Sequence, residues 1–176
     1  ARYTDGRPGA GILATNGMWW RYLTTDSNAN RGRANQISRV LLCNDYLTRE
    51  ITFDRNTNLL DEEAIADAIA NNPACVNCHN SLDPLAAYLY GFWIYQEASY
   101  QELSTYHPDR ERLYEDYLGV EPAFYGEPGD SLGHLGQQIA GDARFPACAV
   151  EQVYEVLLDR GDVLEDLDAL TAHREV

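Results

Sequence analysis

The feature that most constrains this chain is the pentapeptide Cys75-Val76-Asn77-Cys78-His79. Two thiols three residues apart can each form a thioether with one vinyl group of a haem, and the adjacent histidine then lies under the ring and binds its iron. The motif therefore predicts one covalent haem c, attached through Cys75 and Cys78, with His79 as the proximal ligand.

Two other kinds of site also use a CxxC pair, and the sequence lacks the context that each of them needs. A zinc site requires two further ligands at suitable spacing, and the chain contains no second CxxC and no HxxxH. A thioredoxin-like dithiol requires a βαβ context, and no stretch sustains the period-two alternation of a strand. Haem attachment is therefore the preferred interpretation of the motif.

The motif leaves the second axial ligand of the iron open. Met18 is the only methionine, and it lies in the apolar segment 17–20 (GMWW), so it is the first candidate. A thioether ligand would raise the reduction potential, as in many electron carriers, although a lone methionine could equally fill the core. His134 is the alternative because its predicted helix has an apolar face. An open or water-bound position and two more histidines complete the alternatives, namely His107 and His173.

Aromatic side chains close to these residues predict an apolar haem pocket. Trp19 lies beside Met18, and Phe92 and Trp93 follow the haem motif. A haem needs a dry, apolar site, which large rings can provide, although packing in an ordinary core explains any single ring equally well. Arginines could bind the haem propionates, and the candidates are Arg31, Arg33 and Arg39.

Two cysteines remain outside the motif, Cys43 and Cys148. Haem c is attached outside the cytoplasm, in compartments where disulfides persist. We therefore expect these two residues to form a disulfide in a periplasmic or extracellular protein; the alternative is two buried free thiols. The chain starts at Ala1 without a methionine, which fits a processed, exported polypeptide.

The charge is unevenly distributed along the chain. Residues 1–80 contain eight arginines and nine acidic residues, whereas residues 81–176 contain five arginines and 19 acidic residues. A surface of this kind repels nucleic acid and anionic membranes and attracts basic partners, although it also serves solubility alone. No run of about 18 apolar residues occurs, so we expect no membrane span.

The periodicity of apolar residues predicts a mainly α, single compact helical domain with long loops, spanning residues 1–176. We expect an extended arm at 1–10, a haem-bearing part at 11–118 and an acidic, helical C-terminal part at 119–176. Loops are predicted at 26–34 and 119–131. The predicted helices lie near residues 34–47, from Asp61 to a stop at Pro73, from Asp83 and Pro84 as N-cap and first helical residue through Trp93, at 132–139, at 147–158 ending before Gly161, and at 163–172.

Residues 72–85 (NPACVNCHNSLDPL) resemble the P-x-C-x-x-C-H-x-x-hydrophobic-D-P-L signature of cytochrome-like domains in large exported proteins of planctomycetes, myxobacteria and related bacteria. Residues 11–14 (GILA), followed by Arg31-Gly32 and by 40–43 (VLLC), are similar to the family's G-I-L-T, R-G and L-L-C blocks. Residues 142–148 (DARFPAC) are similar to its D-P-R-F-x-x-C ending. The resemblance implies haem c, and it supports the disulfide because members carry both cysteines, but it implies no particular activity.

Three functions are consistent with these features. The first is a mono-haem cytochrome domain that transfers single electrons to a redox partner within an exported complex. The second is a haem-bearing structural or assembly subunit of a larger complex. The third is a haem enzyme with an open distal position, in which His134 or His107 would serve as the acid–base group.

Overall fold

The computed structural model describes residues 3–49, 58, 61–94 and 102–158. These residues form seven α-helices and one two-stranded sheet, which confirms the prediction of a mainly α fold. The helices are α1 (Asn16–Arg21), α2 (Arg31–Leu42), α3 (Glu62–Asn71), α4 (Pro73–Ala87), α5 (Tyr114–Tyr117), α6 (Leu132–Gly141) and α7 (Arg144–Leu158). Short 3₁₀ helices lie at Gly11–Ala14, Tyr46–Thr48, Tyr90–Phe92, Glu102–Ser104 and Pro108–Leu113. The strands β1 (Ala123–Phe124) and β2 (Glu127–Pro128) pair antiparallel.

Helix α4 differs most from its predicted form. Pro73 ends α3 as expected, but it is also the first residue of α4, where the side chain of Asn72 accepts a hydrogen bond from the backbone N–H of Ala74 at 3.0 Å. The prediction that a separate helix starts at Asp83 and Pro84 is wrong, since α4 continues through Pro84 to Ala87. Asp83 does not cap a helix because its carboxylate is bound by side chains from α2 and from α4 itself.

The ends of α2 also differ from the prediction. The helix begins at Arg31, inside the segment predicted as a loop, and it ends at Leu42 rather than near residue 47. Cys43 adopts a left-handed conformation with φ of 49°, which ends the α-helical hydrogen bonding. A separate 3₁₀ turn then begins at Tyr46, where the carboxylate of Asp45 accepts the backbone N–H of Leu47 at 2.9 Å.

Other predicted elements agree with the structure. Asp61 caps α3, accepting the N–H groups of Glu63 at 3.0 Å and Ala64 at 3.2 Å. Helices α6 and α7 contain the predicted segments 132–139 and 147–158. The predicted stop at Gly161 and the predicted helix at 163–172 lie outside the described residues.

The segment predicted as turns at 119–131 contains the hairpin of β1 and β2. Its two turn residues, Tyr125 and Gly126, have positive φ angles of 48° and 93°. Two-residue turns with positive φ at both positions match the twist of an antiparallel pair, so this hairpin needs few residues. The strands are only two residues long, which explains why the sequence shows no alternation here.

One apolar cluster joins the predicted haem-bearing part to the C-terminal part. It extends from Ala10 to Ile139 along the chain, and within it Trp19 and Phe92 stack with ring centroids 4.0 Å apart. The described part of the predicted arm, residues 3–10, forms no helix or strand, and Arg7 ties it to this body by donating to the carbonyls of Ala14 and Ser104.

A disulfide joins Cys43, after the end of α2, to Cys148 in α7. This bond is the one that the sequence predicts, and it connects residues 105 positions apart. Within the ranges that the structure describes, no helix has the length and apolar character needed to cross a bilayer, in agreement with the sequence.

Candidate haem-attachment site

Helix α4 carries all three residues of the predicted attachment motif. Cys75 is half-buried and Cys78 is 7% exposed, and their thiols are not joined to each other. Because Cys75 and His79 are four residues apart on a helix, they lie on one face, whereas Cys78 packs into the main apolar cluster. The helix thus carries two unpaired thiols within a single turn of the imidazole, one half-buried and one in the core.

His79 makes a hydrogen bond to a carboxylate on the same helix. The distance from its Nδ1 to Oδ1 of Asp83 is 2.9 Å, which the spacing of four residues permits. Arg31, the first residue of α2, binds the same carboxylate with two nitrogens, Nε to Oδ1 at 2.7 Å and Nη2 to Oδ2 at 2.9 Å. Three side chains from two helices therefore form one hydrogen-bonded chain.

The carboxyl group of Asp83 is ionised in this setting. Burial has the largest influence and by itself would raise the pKa, but the hydrogen bonds from Arg31 and then from His79 together hold the pKa of Asp83 below its ordinary value. An ionised carboxylate only accepts hydrogen bonds, so Nδ1 of His79 carries the hydrogen. The other ring nitrogen, Nε2, is then the one with a lone pair for a metal.

A cleft of about 920 Å³ opens beside His79. Its volume lies within the range of roughly 300–1,000 Å³ that is typical of cofactor sites. His79, Asp83 and Arg31 form a polar wall, and α3 contributes an apolar wall of small and branched side chains. The α3 residues in this wall are Ile65, Ala66, Ile69 and Ala70. The cleft thus combines the imidazole with apolar surface and one arginine.

These residues fit a haem c. The donor set consists of two thiols that are not paired and an imidazole whose Nε2 is available. The cleft meets α4 at His79, Asn80, Asp83 and Pro84. Neither thiol lines it: Cys75 lies one turn before this wall, and Cys78 packs into the main apolar cluster. In the part of the chain that the structure describes, no group of three or more His, Cys, Asp or Glu side chains is placed to hold a metal ion.

The structure does not bring the two predicted distal ligands to the cleft. Met18 lies in α1 and packs against the main apolar cluster. His134 lies in α6 with its side chain 42% exposed, and its Nδ1 is 3.4 Å from the carboxylate of Asp130. Neither residue lines the cleft, so ligation by either one stays a prediction.

The structure does not give either of the two other histidines a role in the cleft. Burial, and after it the charge of Arg110, lowers the pKa of His107 below its ordinary value. Its Nε2 is buried and makes no hydrogen bond within the described residues. His107 is not among the residues that line the cleft, and His173 lies outside the described ranges.

The predicted pocket aromatics fill the core and do not line the cleft. Trp19 and Phe92 stack on one another and are fully buried. Trp93 is also fully buried, with its ring centroid 4.6 Å from that of Tyr117. Tyr117 does line the cleft, so Trp93 packs behind Tyr117 and does not line the cleft itself. No pattern in the sequence points to Tyr117, because its contact with the cleft depends on the position of α5.

Of the three arginines considered for the propionates, only Arg31 lines the cleft. Arg33 is fully buried and donates to the backbone carbonyls of Tyr22 and Phe92, so it holds loops together. Arg39 is exposed on α2. The contact of Asp83 with His79 was not predicted, although its position four residues after His79 on a helix is a usable signal.

No protein-family model, no curated protein and no solved structure matches the chain.

Proposed function

We propose that the protein is a mono-haem c-type cytochrome domain that transfers single electrons within an exported redox complex. The observation that carries the proposal is the arrangement on α4. Two unpaired thiols lie within one turn of His79, whose Nδ1 is held by Asp83 beside a cleft of about 920 Å³. A haem bound there would supply the one-electron chemistry of its iron.

The protein's own residues have separate tasks in this proposal. Cys75 and Cys78 hold the cofactor covalently, so a small domain keeps it without a fully enclosed pocket. His79 offers Nε2 to the iron in an orientation that Asp83 fixes. Arg31 places a positive charge on the cleft wall, where it can offset a propionate. The isoleucines and alanines of α3 would give the group apolar surface and limit the access of water to the cleft.

Charge and cysteine chemistry support an exported setting and a basic partner. Residues 81–176 carry 19 acidic side chains and five arginines, which favours encounter with a positively charged redox protein. The Cys43–Cys148 disulfide is typical of the periplasm or the extracellular space. We therefore propose a periplasmic or extracellular location and an electron-transfer rate that falls as salt rises.

A second candidate function is a haem enzyme with an open distal position. It is favoured by the composition of the cleft, whose described lining contains no methionine and no histidine apart from His79. Thr25, Asp26, Ser27 and Tyr117 provide oxygen atoms in that lining instead. Oxygen donors of this kind can orient a small substrate or a water molecule.

The test is expression of the full chain with an export signal, in a bacterial host with c-type haem maturation. We expect haem that stays on the polypeptide after denaturation, in a ratio of one per chain, and a reversible one-electron redox transition. A polypeptide without covalent haem would overturn the proposal.

Addition of carbon monoxide to the reduced protein separates the two functions. An unchanged visible spectrum supports the electron carrier, since both axial positions are then filled by the protein. A spectrum that shifts at once supports the open-site enzyme. Met18→Leu is the companion variant, and it tests the predicted distal ligand: a changed visible spectrum would support ligation by Met18, and an unchanged spectrum would exclude it.

A further inference from the structure

We propose that Asp83, acting through His79, holds the reduction potential of the iron low, and that Arg31 limits this effect. The inference rests on the proposed function, because it concerns a haem bound by His79. It assigns positioning roles to two residues outside the attachment motif. Both are placed by hydrogen bonds that the tertiary structure creates.

The carboxylate of Asp83 is held in one position. The side chain of Asp83 is only 7% exposed, and it is held from two directions by Arg31 and His79. Removed from water, these hydrogen bonds are stronger than the same contacts on the surface. The imidazole therefore has a fixed orientation and a carboxylate as its hydrogen-bond partner.

The carboxylate of Asp83 changes the electron density of the His79 imidazole. A carboxylate that accepts the Nδ1 hydrogen draws it away from the ring and makes the ring more electron-rich. Nε2 then donates more strongly to a bound metal, and stronger donation stabilises the oxidised iron more than the reduced iron. Axial ligands and their hydrogen bonds are among the main determinants of haem potential, so the contact with Asp83 lowers the potential.

Arg31 opposes the effect of Asp83 on the reduction potential. Its Nε lies 2.7 Å from Oδ1 of Asp83, which is the same oxygen that His79 contacts at 2.9 Å. The guanidinium therefore competes for the lone pairs of that oxygen and weakens the bond to His79. It also places a positive charge on the wall of the cleft. Both effects raise the potential, so Asp83 and Arg31 act in opposite directions.

Because Asp83 and Arg31 are proposed to shift the reduction potential in opposite directions, variants of the two residues test the inference on the haem-loaded, full-length protein. Spectroelectrochemical titration compares the wild type with Asp83→Asn and Arg31→Gln. We expect Asp83→Asn to have a more positive midpoint and Arg31→Gln a more negative one. The expected change for Asp83→Asn is about tenfold in the ratio of reduced to oxidised protein, or about 59 mV for one electron.

The matched control is Asp130→Asn, which makes the same chemical change at a carboxylate that is 87% exposed and lies beside His134. We expect its midpoint to stay near that of the wild type. Proton NMR of the oxidised protein adds a second readout, the hyperfine-shifted ring resonances of His79. A residue that acts through the imidazole moves these resonances, whereas a distant charge moves the potential alone.

The outcomes separate this inference from the proposed function. A wild type without covalent haem would overturn the proposed function and, with it, this inference. A haem-loaded Asp83→Asn variant with an unchanged midpoint, or with unmoved His79 resonances, would overturn the inference alone. If Asp83→Asn fails to fold, Arg31→Gln decides, since a midpoint at or above the wild-type value contradicts the proposed opposition.

Discussion

The two pairs of cysteines in this protein lie in contrasting regions. Cys43 and Cys148 are 105 residues apart in sequence, yet they are joined where the end of α2 meets α7. Cys75 and Cys78 are three residues apart on α4 and remain unjoined thiols. Proximity along the chain therefore does not decide which cysteines pair. The distant pair closes the fold, and the neighbouring pair stays available for chemistry.

Helix α2 connects these two regions. Arg31 at its start binds Asp83 beside the cleft, and Cys43 follows its end in the disulfide. Loss of the disulfide at the end of α2 could therefore shift Arg31 at its start, because both belong to one helical segment. We nevertheless expect the two regions to be separable, because α2 is also held in place by its packing against α4.

The largest effect is expected from loss of the neighbouring pair. Replacing Cys75 and Cys78 by alanine should abolish covalent haem completely, since no thioether can form. Haem-dependent staining after denaturing electrophoresis measures the attachment. Covalent haem retained in this double variant would contradict the assignment of the motif.

Loss of the distant pair should affect stability and leave the site intact. Replacing Cys43 and Cys148 by alanine should lower the free energy of unfolding by about 2–5 kcal/mol, because the bond restrains the unfolded chain over a long loop. Denaturant unfolding measures this loss. The same variant should keep its covalent haem and its midpoint potential, and a shifted potential would show that α2 couples the two regions.

A smaller effect is expected at the start of the attachment helix. Asn72→Ala removes the side-chain acceptor for the N–H of Ala74, so the free energy of unfolding should fall by about 1 kcal/mol. The control is Asn71→Ala, which removes an exposed hydrogen bond to Asp67 and should cost less than about 0.5 kcal/mol. Equal losses in chemical denaturation would argue against a capping role for Asn72.

The smallest effect is on the pH dependence of stability. It concerns an ion pair near the start of α7, the helix that carries Cys148. Arg144 donates through its side chain and its backbone N–H to Asp142, and these bonds hold the pKa of Asp142 below its ordinary value. A lowered pKa means that the stabilisation is complete above the unfolded-state pKa, about 3.9, and is lost as pH falls through the folded-state pKa.

Asp142→Asn should therefore be less stable than the wild type by up to about 1 kcal/mol at pH 6–7. The difference should shrink below about pH 4, where the wild-type carboxyl also becomes protonated. Thermal unfolding of both proteins across this range measures it. A difference that grows on acidification would reverse the sign and contradict the assignment.

Local signals predicted part of the fold well. The start of α3 at Asp61, the apolar stripes of α6 and α7, and the stop of α3 at Pro73 all depend on residues within a few positions of one another. Local signals failed at Pro84, where the sequence predicts a helix start. There the burial of neighbouring residues and the ion pair of Asp83 with Arg31, 52 positions away, keep one helix continuous.

The attachment motif and its chemistry follow from the sequence alone, because two thiols and an imidazole at this spacing suffice to predict covalent haem c. The surroundings of His79 required the tertiary structure. Only the packing of α2 against α4 brings Arg31 to Asp83, and only the position of α3 forms the cleft. The sequence determined the reactive groups, and the long-range contacts decided the environment that tunes them, because burial and charge pairing act through space and not along the chain.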